Sequence, residues 1–257
     1  PPSPSPPPLP PSPSPPSAPD SAMPPPCFPL DWGSQGKSSI NFFNSTLTQN
    51  NLGGAGPDSG AEEIRFANIG EANGETLDLV VTISPDSDTT YDPKRAGRNM
   101  ILGEFAQINL RNDREVDLQF CFASVSTGEN VVLSSFDFTF YDFDNQAPYV
   151  NGKGETTAEG FYEQIVAGDF SEYATSTAVP TELDVGVHDD GRITFTSTTE
   201  GSGQDNPVNP NDLNATQMAR SVTLTYDNTY AAAGWTLTPL DPPDRVATDP
   251  IGAPALP

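Results

Sequence analysis

Positive charge is scarce in this chain. Lys and Arg number 11 against 35 Asp and Glu, a formal net charge of −24 over 257 residues. Nucleic-acid binding needs a basic footprint, so the balance argues against it. It fits high solubility, cation binding or a salty setting, or an acidic surface with no specific ligand. Histidine is scarcer still: His188 is the one in the chain, between two strand-like runs. A Ser-His-Asp or Cys-His arrangement would have to use it. No phosphate loop, Cys-x-x-Cys pair or dinucleotide fingerprint is present. With 35 acids some carboxylate pair must fall at a glycosidase spacing, but that is an argument from abundance. The expectation is a protein that is not an enzyme. No apolar run nears the roughly 20 residues of a membrane helix, so no membrane span is expected.

Cysteine is limited to Cys27 and Cys121. In an oxidising compartment the two would pair. The bond would close a loop of nearly a hundred residues and contribute roughly 4–5 kcal/mol in the chain-entropy picture. Two unrelated thiols are the alternative.

Proline is what the chain has in excess. Sixteen of the first 29 residues are proline. Proline fixes φ near −65° and lacks a backbone donor, which excludes a helix or a central strand there. The expected shape of residues 1–29 is a polyproline II rod, with about 3.1 Å rise per residue and about 90 Å reach. A rod that long outreaches its own domain. It either stands in solvent or lies along another molecule, and the second is the reading taken here. Because residue 1 already lies in the rod, no leader is visible, and a secreted protein would be present as its mature chain. Two sequons, Asn44-Ser45-Thr46 and Asn214-Ala215-Thr216, add to a secretory reading, with Asn44 and Asn214 as the N-glycosylation candidates.

Residues 30–238 carry the core. A polar stretch over 30–60 holds one expected strand, Ser39 to Asn44. Beyond it, period-two patterning dominates. Leu77, Leu79 and Val81 alternate with Asp78, Val80 and Thr82. Val116, Leu118, Phe120 and Phe122 alternate with Asp117, Gln119, Cys121 and Ala123, which would put Cys121 on a wet face. Phe136, Phe138 and Phe140 alternate with Asp137, Thr139 and Tyr141. Leu183 to Phe195 reads as a hairpin around Asp190-Gly191, the strongest short turn signal. Val222–Tyr226 and Trp235–Leu237 are further strands. Thr156 to Tyr173 is ambiguous between a short helix and a strand with a long loop. Many short antiparallel strands with Gly, Pro and Asn turns give an all-β, two-sheet sandwich of jelly-roll, lectin-like type. Residues 239–257 are again proline-rich and read as an extended tail.

The sharpest site candidate is Asp142-Phe143-Asp144-Asn145, after the Phe136–Tyr141 strand. Were the strand to continue, Asp142 and Asp144 would share a face, with the Asn145 amide oxygen beside them. Calcium takes six to eight such oxygens. No cofactor is required by any motif, and Ca2+ is the one this cluster suggests. His188-Asp189-Asp190 and Asp86-Ser87-Asp88 read as ordinary turns. Thr-x-Thr runs at Thr194–Thr198, Thr223–Thr225 and Thr236–Thr238 fit the wet faces of strands, and their spacing is too irregular for an ice-binding array. Proline rods dock in aromatic-lined grooves. Tyr141, Tyr149, Phe161, Tyr162 and Tyr173 are the candidate lining, with core packing as the alternative role for each ring.

The runs Ser3-Pro4-Ser5-Pro6-Pro7-Pro8 and Ser12-Pro13-Ser14-Pro15-Pro16 resemble the hydroxyproline-rich glycoproteins of plant and green-algal cell walls. A Pro/Ser rod joined to a compact β domain is similar in layout to the pherophorin and mastigoneme-type matrix proteins. The resemblance implies hydroxylation at Pro4, Pro6, Pro7, Pro8, Pro10, Pro11, Pro13, Pro15 and Pro16. Sugars would follow on hydroxyproline and on Ser3, Ser5, Ser12 and Ser14. It also implies a structural role outside the cell, in a wall, matrix or surface appendage. The partners expected are further copies of the chain, joined head-to-tail by the rod, and glycans. The alternative is a calcium-dependent carbohydrate-binding module on a glycosylated stalk.

Overall fold

A computed structural model describes residues 39–72, 74–85, 87–158, 160–201, 206–227 and 247–248. The rod at 1–29, its modification candidates from Ser3 to Pro16, Cys27, Asp86 and the Trp235–Leu237 strand all lie outside the described residues. So does the tail apart from two residues. The described chain is built from antiparallel sheets with a single short α-helix.

In order, the strands are β1 Ser39–Ile40, β2 Thr46–Asn50, β3 Ile64–Ala72, β4 Glu75–Ile83, β5 Met100–Leu102, β6 Phe105–Gln107 and β7 Leu118–Ser124. Then come β8 Asn130–Val131, β9 Ser135–Tyr141, β10 Asn145–Gln146, β11 Tyr149–Val150, β12 Thr156–Ala158 and β13 Phe161–Tyr162. The remainder are β14 Gln164–Ala167, β15 Glu172–Thr175, β16 Leu183–Val187, β17 Ile193–Ser197, β18 Ser221–Asp227 and β19 Ala247–Thr248, with α1 at Ala215–Ala219.

Three sheets do most of the packing. One runs β1-β3-β4-β7-β8, with β2 also on β3. The second runs β19-β15-β18-β9, and the third β14-β17-β16. The second sheet sets the layering. Its register places Phe136 opposite Tyr226, Phe138 opposite Leu224 and Phe140 opposite Val222, so these six share one face. Phe136 and Phe138 pack on the first sheet, with ring centroids 5.0 Å from Phe122 and 5.1 Å from Phe120 respectively. Phe140, Val222 and Leu224 pack on Ile193 and Phe195 of the third sheet. One layer thus spans two cores, and the all-β sandwich expected from the alternation is what the chain forms.

Several local expectations give way. The strand foreseen over Ser39 to Asn44 stops at Ile40. A turn at 42–45 follows, closed by Ser45 N–H donating to the Phe42 carbonyl at 3.1 Å. The faces of β4 and β7 expected to be wet are buried: Asp78, Val80, Thr82, Cys121 and Ala123 all lose nearly all their solvent contact. Asp78 tolerates this because Arg65 Nη1 donates to it at 3.2 Å and the Asn68 N–H at 3.0 Å. The second of these satisfies a backbone donor that a bulge in β3 removes from the ladder. The ambiguous stretch from Thr156 resolves into short strands, β12 to β14, and not a helix. In the tail, Ala247–Thr248 pairs in parallel with β15.

Candidate functional site

The β9 alternation ends at Tyr141. Asp142 then takes φ = +69°, the left-handed region that a short polar side chain tolerates. The chain turns there, and Phe143 drops into the second core, 2% exposed. Asp142 and Asp144 therefore do not continue a strand face, contrary to the expectation from the sequence. Asn145 joins β10, opposite Tyr162.

What Asp144 meets is Arg220. Its Oδ1 accepts from Nη1 at 2.7 Å, while Nε donates to Glu182 Oε2 at 2.8 Å and Nη2 to the Glu200 carbonyl at 2.7 Å. The guanidinium forks between partners as its planar geometry allows. Arg220 is 7% exposed and sits just past α1. That helix is only five residues long and starts from a reciprocal cap: Asn214 Oδ1 accepts the Gln217 N–H, and Gln217 Oε1 accepts the Asn214 N–H, both at 3.0 Å. Gly201 closes the cluster. A Cβ there would overlap the Asp144 carboxylate, which would have to move aside. Asp142 lines a narrow cleft with Thr216, Gln217 and Arg220. The cation gathered by this acidic corner is thus a guanidinium. Among the described residues no group of three or more His, Cys, Asp and Glu is placed to hold a metal ion.

Beside the cluster lies an open cleft of about 420 Å³ between β10, β13 and the end of β17. Asn145, Gln146, Phe161, Tyr162, Thr196, Ser197, Thr198 and Glu200 line it. Tyr162 is 63% exposed and Phe161 half-buried. Backbone and side chain lock the walls together. Ser197 Oγ donates to the Asp144 carbonyl at 2.7 Å and accepts the Glu163 N–H at 3.1 Å, and the Asn145 N–H donates to the Thr199 carbonyl at 2.9 Å.

Two carboxyls flank this corner with opposite shifts. Glu163 is pushed up to about 7, by burial first; the Asp144 N–H lowers it and the Asp144 charge raises it again. Glu163 is nonetheless exposed, and solvent screening weakens the effect of the shift on stability. Glu182 is held below the usual carboxylate range by the Thr199 hydroxyl, then by Arg220.

Tyr141, Tyr173, Phe161 and Tyr162 do not line one groove. Tyr141 packs edge-on to Phe105 at 4.9 Å. Tyr173 packs on Phe195 at 5.1 Å and Phe170 at 6.3 Å, inside the second core. Tyr149 pairs with Ala158 through its backbone. Phe161 and Tyr162 line the cleft. His188 stands at the hairpin turn, its Nε2 bonded to Thr194 Oγ1. Cys121 is disulfide-bonded; the chain's other cysteine, Cys27, is outside the described residues.

Sequence reasoning missed Arg220, Glu182 and Glu163. One signal was available: in so acidic a chain, with 11 Lys and Arg against 35 Asp and Glu, each arginine has many carboxylates competing for it. The distance from Glu182 to Arg220, 38 residues, hid the rest. No protein-family model, curated protein or solved structure matches the chain.

Proposed function

We propose that this protein is a structural subunit of an extracellular glycoprotein fibre or coat, in which the proline rod of one copy docks in the Phe161–Tyr162 cleft of the next. The observation that carries the reading is Tyr162, a large ring 63% exposed on the rim of a cleft with a braced floor. A polyproline rod has free carbonyls and no N–H along its proline runs. It therefore needs rings to lie on and donors to meet its carbonyls. Tyr162 supplies a ring and a hydroxyl, and Gln146, Thr196 and Thr198 supply further donors. The rod loses little entropy on docking because its shape is preset. Charge also permits the contact: residues 1–29 carry Asp20 as their one ionisable acid and no Lys or Arg. A near-neutral rod approaches an acidic domain without repulsion. Such a contact is heterologous and does not close, so it propagates as a filament.

The test is calorimetric titration of a peptide of residues 1–26 into chain lacking those residues. Binding that weakens at least tenfold in Tyr162→Ala supports the reading. Absence of binding, or filaments in micrographs of the chain without residues 1–26, would overturn it.

A carbohydrate ligand is the second reading. Amides, hydroxyls and the Glu200 carboxylate beside an exposed tyrosine suit a sugar's hydroxyl rim and apolar face. Calcium enters through Asp142, Asp144 and Asn145 in that reading, and a calcium titration that leaves the melting temperature of both the protein and Asp144→Ala unmoved would remove it.

A further inference from the structure

The turn at 42–45 is an exposed corner on a fixed support. Asn41 N–H donates to the Ile69 carbonyl at 2.7 Å, and Asn41 Oδ1 accepts the Phe43 N–H at 3.1 Å. Phe42 sends its ring into the first core, edge-on to Phe66 at 5.5 Å. Ser45 Oγ closes the turn on the Phe42 carbonyl at 3.1 Å. Between these anchors the turn presents Phe43, 67% exposed, and Asn44, also exposed. Thr46, the hydroxyl residue of the sequon, is exposed at the start of β2. Phe43 has the largest fractional exposure of the big apolar side chains among the described residues, and nothing described covers it. The second sequon differs. The Asn214 side chain is held in the reciprocal cap of α1, and Thr216 is already inside the helix.

We propose that Asn44 carries an N-linked glycan and that its first sugar lies on the exposed ring of Phe43. The inference rests on the secretory route of the proposed function. In the transfer, Asn44 Nδ2 attacks the anomeric carbon of an oligosaccharide carried on a lipid diphosphate. The Nδ2–C1 bond forms and the C1–O bond to phosphate breaks. The lipid diphosphate leaves with the bonding pair, and the amide nitrogen gives up one proton. The turn places Asn44 next to Phe43 in sequence and on the same corner. A pyranose face set on that ring removes an isolated apolar surface from water, while the glycan keeps the corner soluble.

The test uses the full chain, secreted from a eukaryotic host behind a cleavable leader, with Asn44→Gln, Asn214→Gln and Phe43→Ala made in the same way. Peptide N-glycosidase converts an occupied Asn to Asp, which peptide mapping reads. Aspartate at 44 in the wild type and in Asn214→Gln is expected, with no conversion at that position in Asn44→Gln. Removing the glycan should lower the melting temperature of the wild type by about 2–4 °C, and that of Phe43→Ala by less than half as much. Unconverted Asn44 in secreted protein, or conversion confined to Asn214, overturns the site. An equal drop in Phe43→Ala overturns the contact with the ring. The rod peptide is titrated on the same samples. Unoccupied Asn44 with intact peptide binding sinks this inference alone, and an occupied Asn44 without peptide binding sinks the docking reading alone.

Discussion

The two cores of this sandwich are built to different specifications. The first is made from long strands, nine residues each in β3 and β4, and β4 is buried on both faces. Its fully buried side chains include Phe66, Leu52, Ile64, Leu77 and Leu79. The second core is edged by strands of two to five residues, and its rim is held by one buried arginine and three acidic residues around it. The polar groups buried beside the first, Asn50, Asn99 and the Tyr91 hydroxyl, are bonded to one another. The second keeps amides, hydroxyls and a ring exposed over a braced floor. A scaffold and an open polar rim thus share the single β9–β18 layer that spans both.

Mutations at each pole would break or sharpen that contrast. Phe66→Ala should give the largest loss, about 3–5 kcal/mol, because the ring is fully buried in the first core and its removal leaves a cavity; denaturant midpoints measure it. Arg220→Ala should cost about 3 kcal/mol, since the partly covered Asp144 carboxylate loses its guanidinium partner, and it should also weaken rod-peptide binding. Phe66→Ala at a temperature where it stays folded should leave that binding intact. Gly201→Ala comes next, at about 1–3 kcal/mol, by driving the Asp144 carboxylate off Arg220. If it matches the parent in denaturant, the close approach at Gly201 does not matter.

Acidity distinguishes the two flanking carboxyls. Glu163 titrates higher in the folded chain than when unfolded, so the folded state binds the extra proton. Its contribution is fully present below the ordinary glutamate value of 4.5, is lost as pH rises toward about 7, and is absent above that. Glu182 has the opposite sign: its contribution is present above 4.5 and is lost as pH falls through its lowered folded value. Glu163→Gln should flatten the decline between pH 4.5 and 7 in melting curves, and Glu182→Gln should flatten the acid limb instead. An unchanged profile in both would disconnect these groups from stability. The smallest effect expected is Tyr162→Ala, within about 0.5 kcal/mol in stability, with the loss confined to binding.

Much of the fold was legible because alternation has a physical cause. Phe136, Phe138 and Phe140 had to share a face in any strand, and they do. The hairpin around Asp190-Gly191 was readable for the same local reason, with Arg192 donating back to Asp190 at 2.8 Å. The wet faces assigned to β4 and β7 were not readable, because a polar residue at alternate positions does not say whether something covers it. Asp78 is the clear case: its exposure was inferred from its charge, and its burial depends on Arg65 and a bulge thirteen and ten residues away. The candidate site was half visible. Asp144 and Tyr162 stood out by type, while their grouping depended on Asp142 turning left-handed.

The sequence alone determined the class of the chain. Period-two patterning commits it to strands, the proline run cannot enter a helix, and the acid excess sets the surface. Only the tertiary structure decided which carboxylate meets the arginine, which rings face water and which sheet faces are covered. Those outcomes depend on residues far apart in the chain reaching the same few ångströms, and side-chain periodicity carries no record of distance across a sandwich.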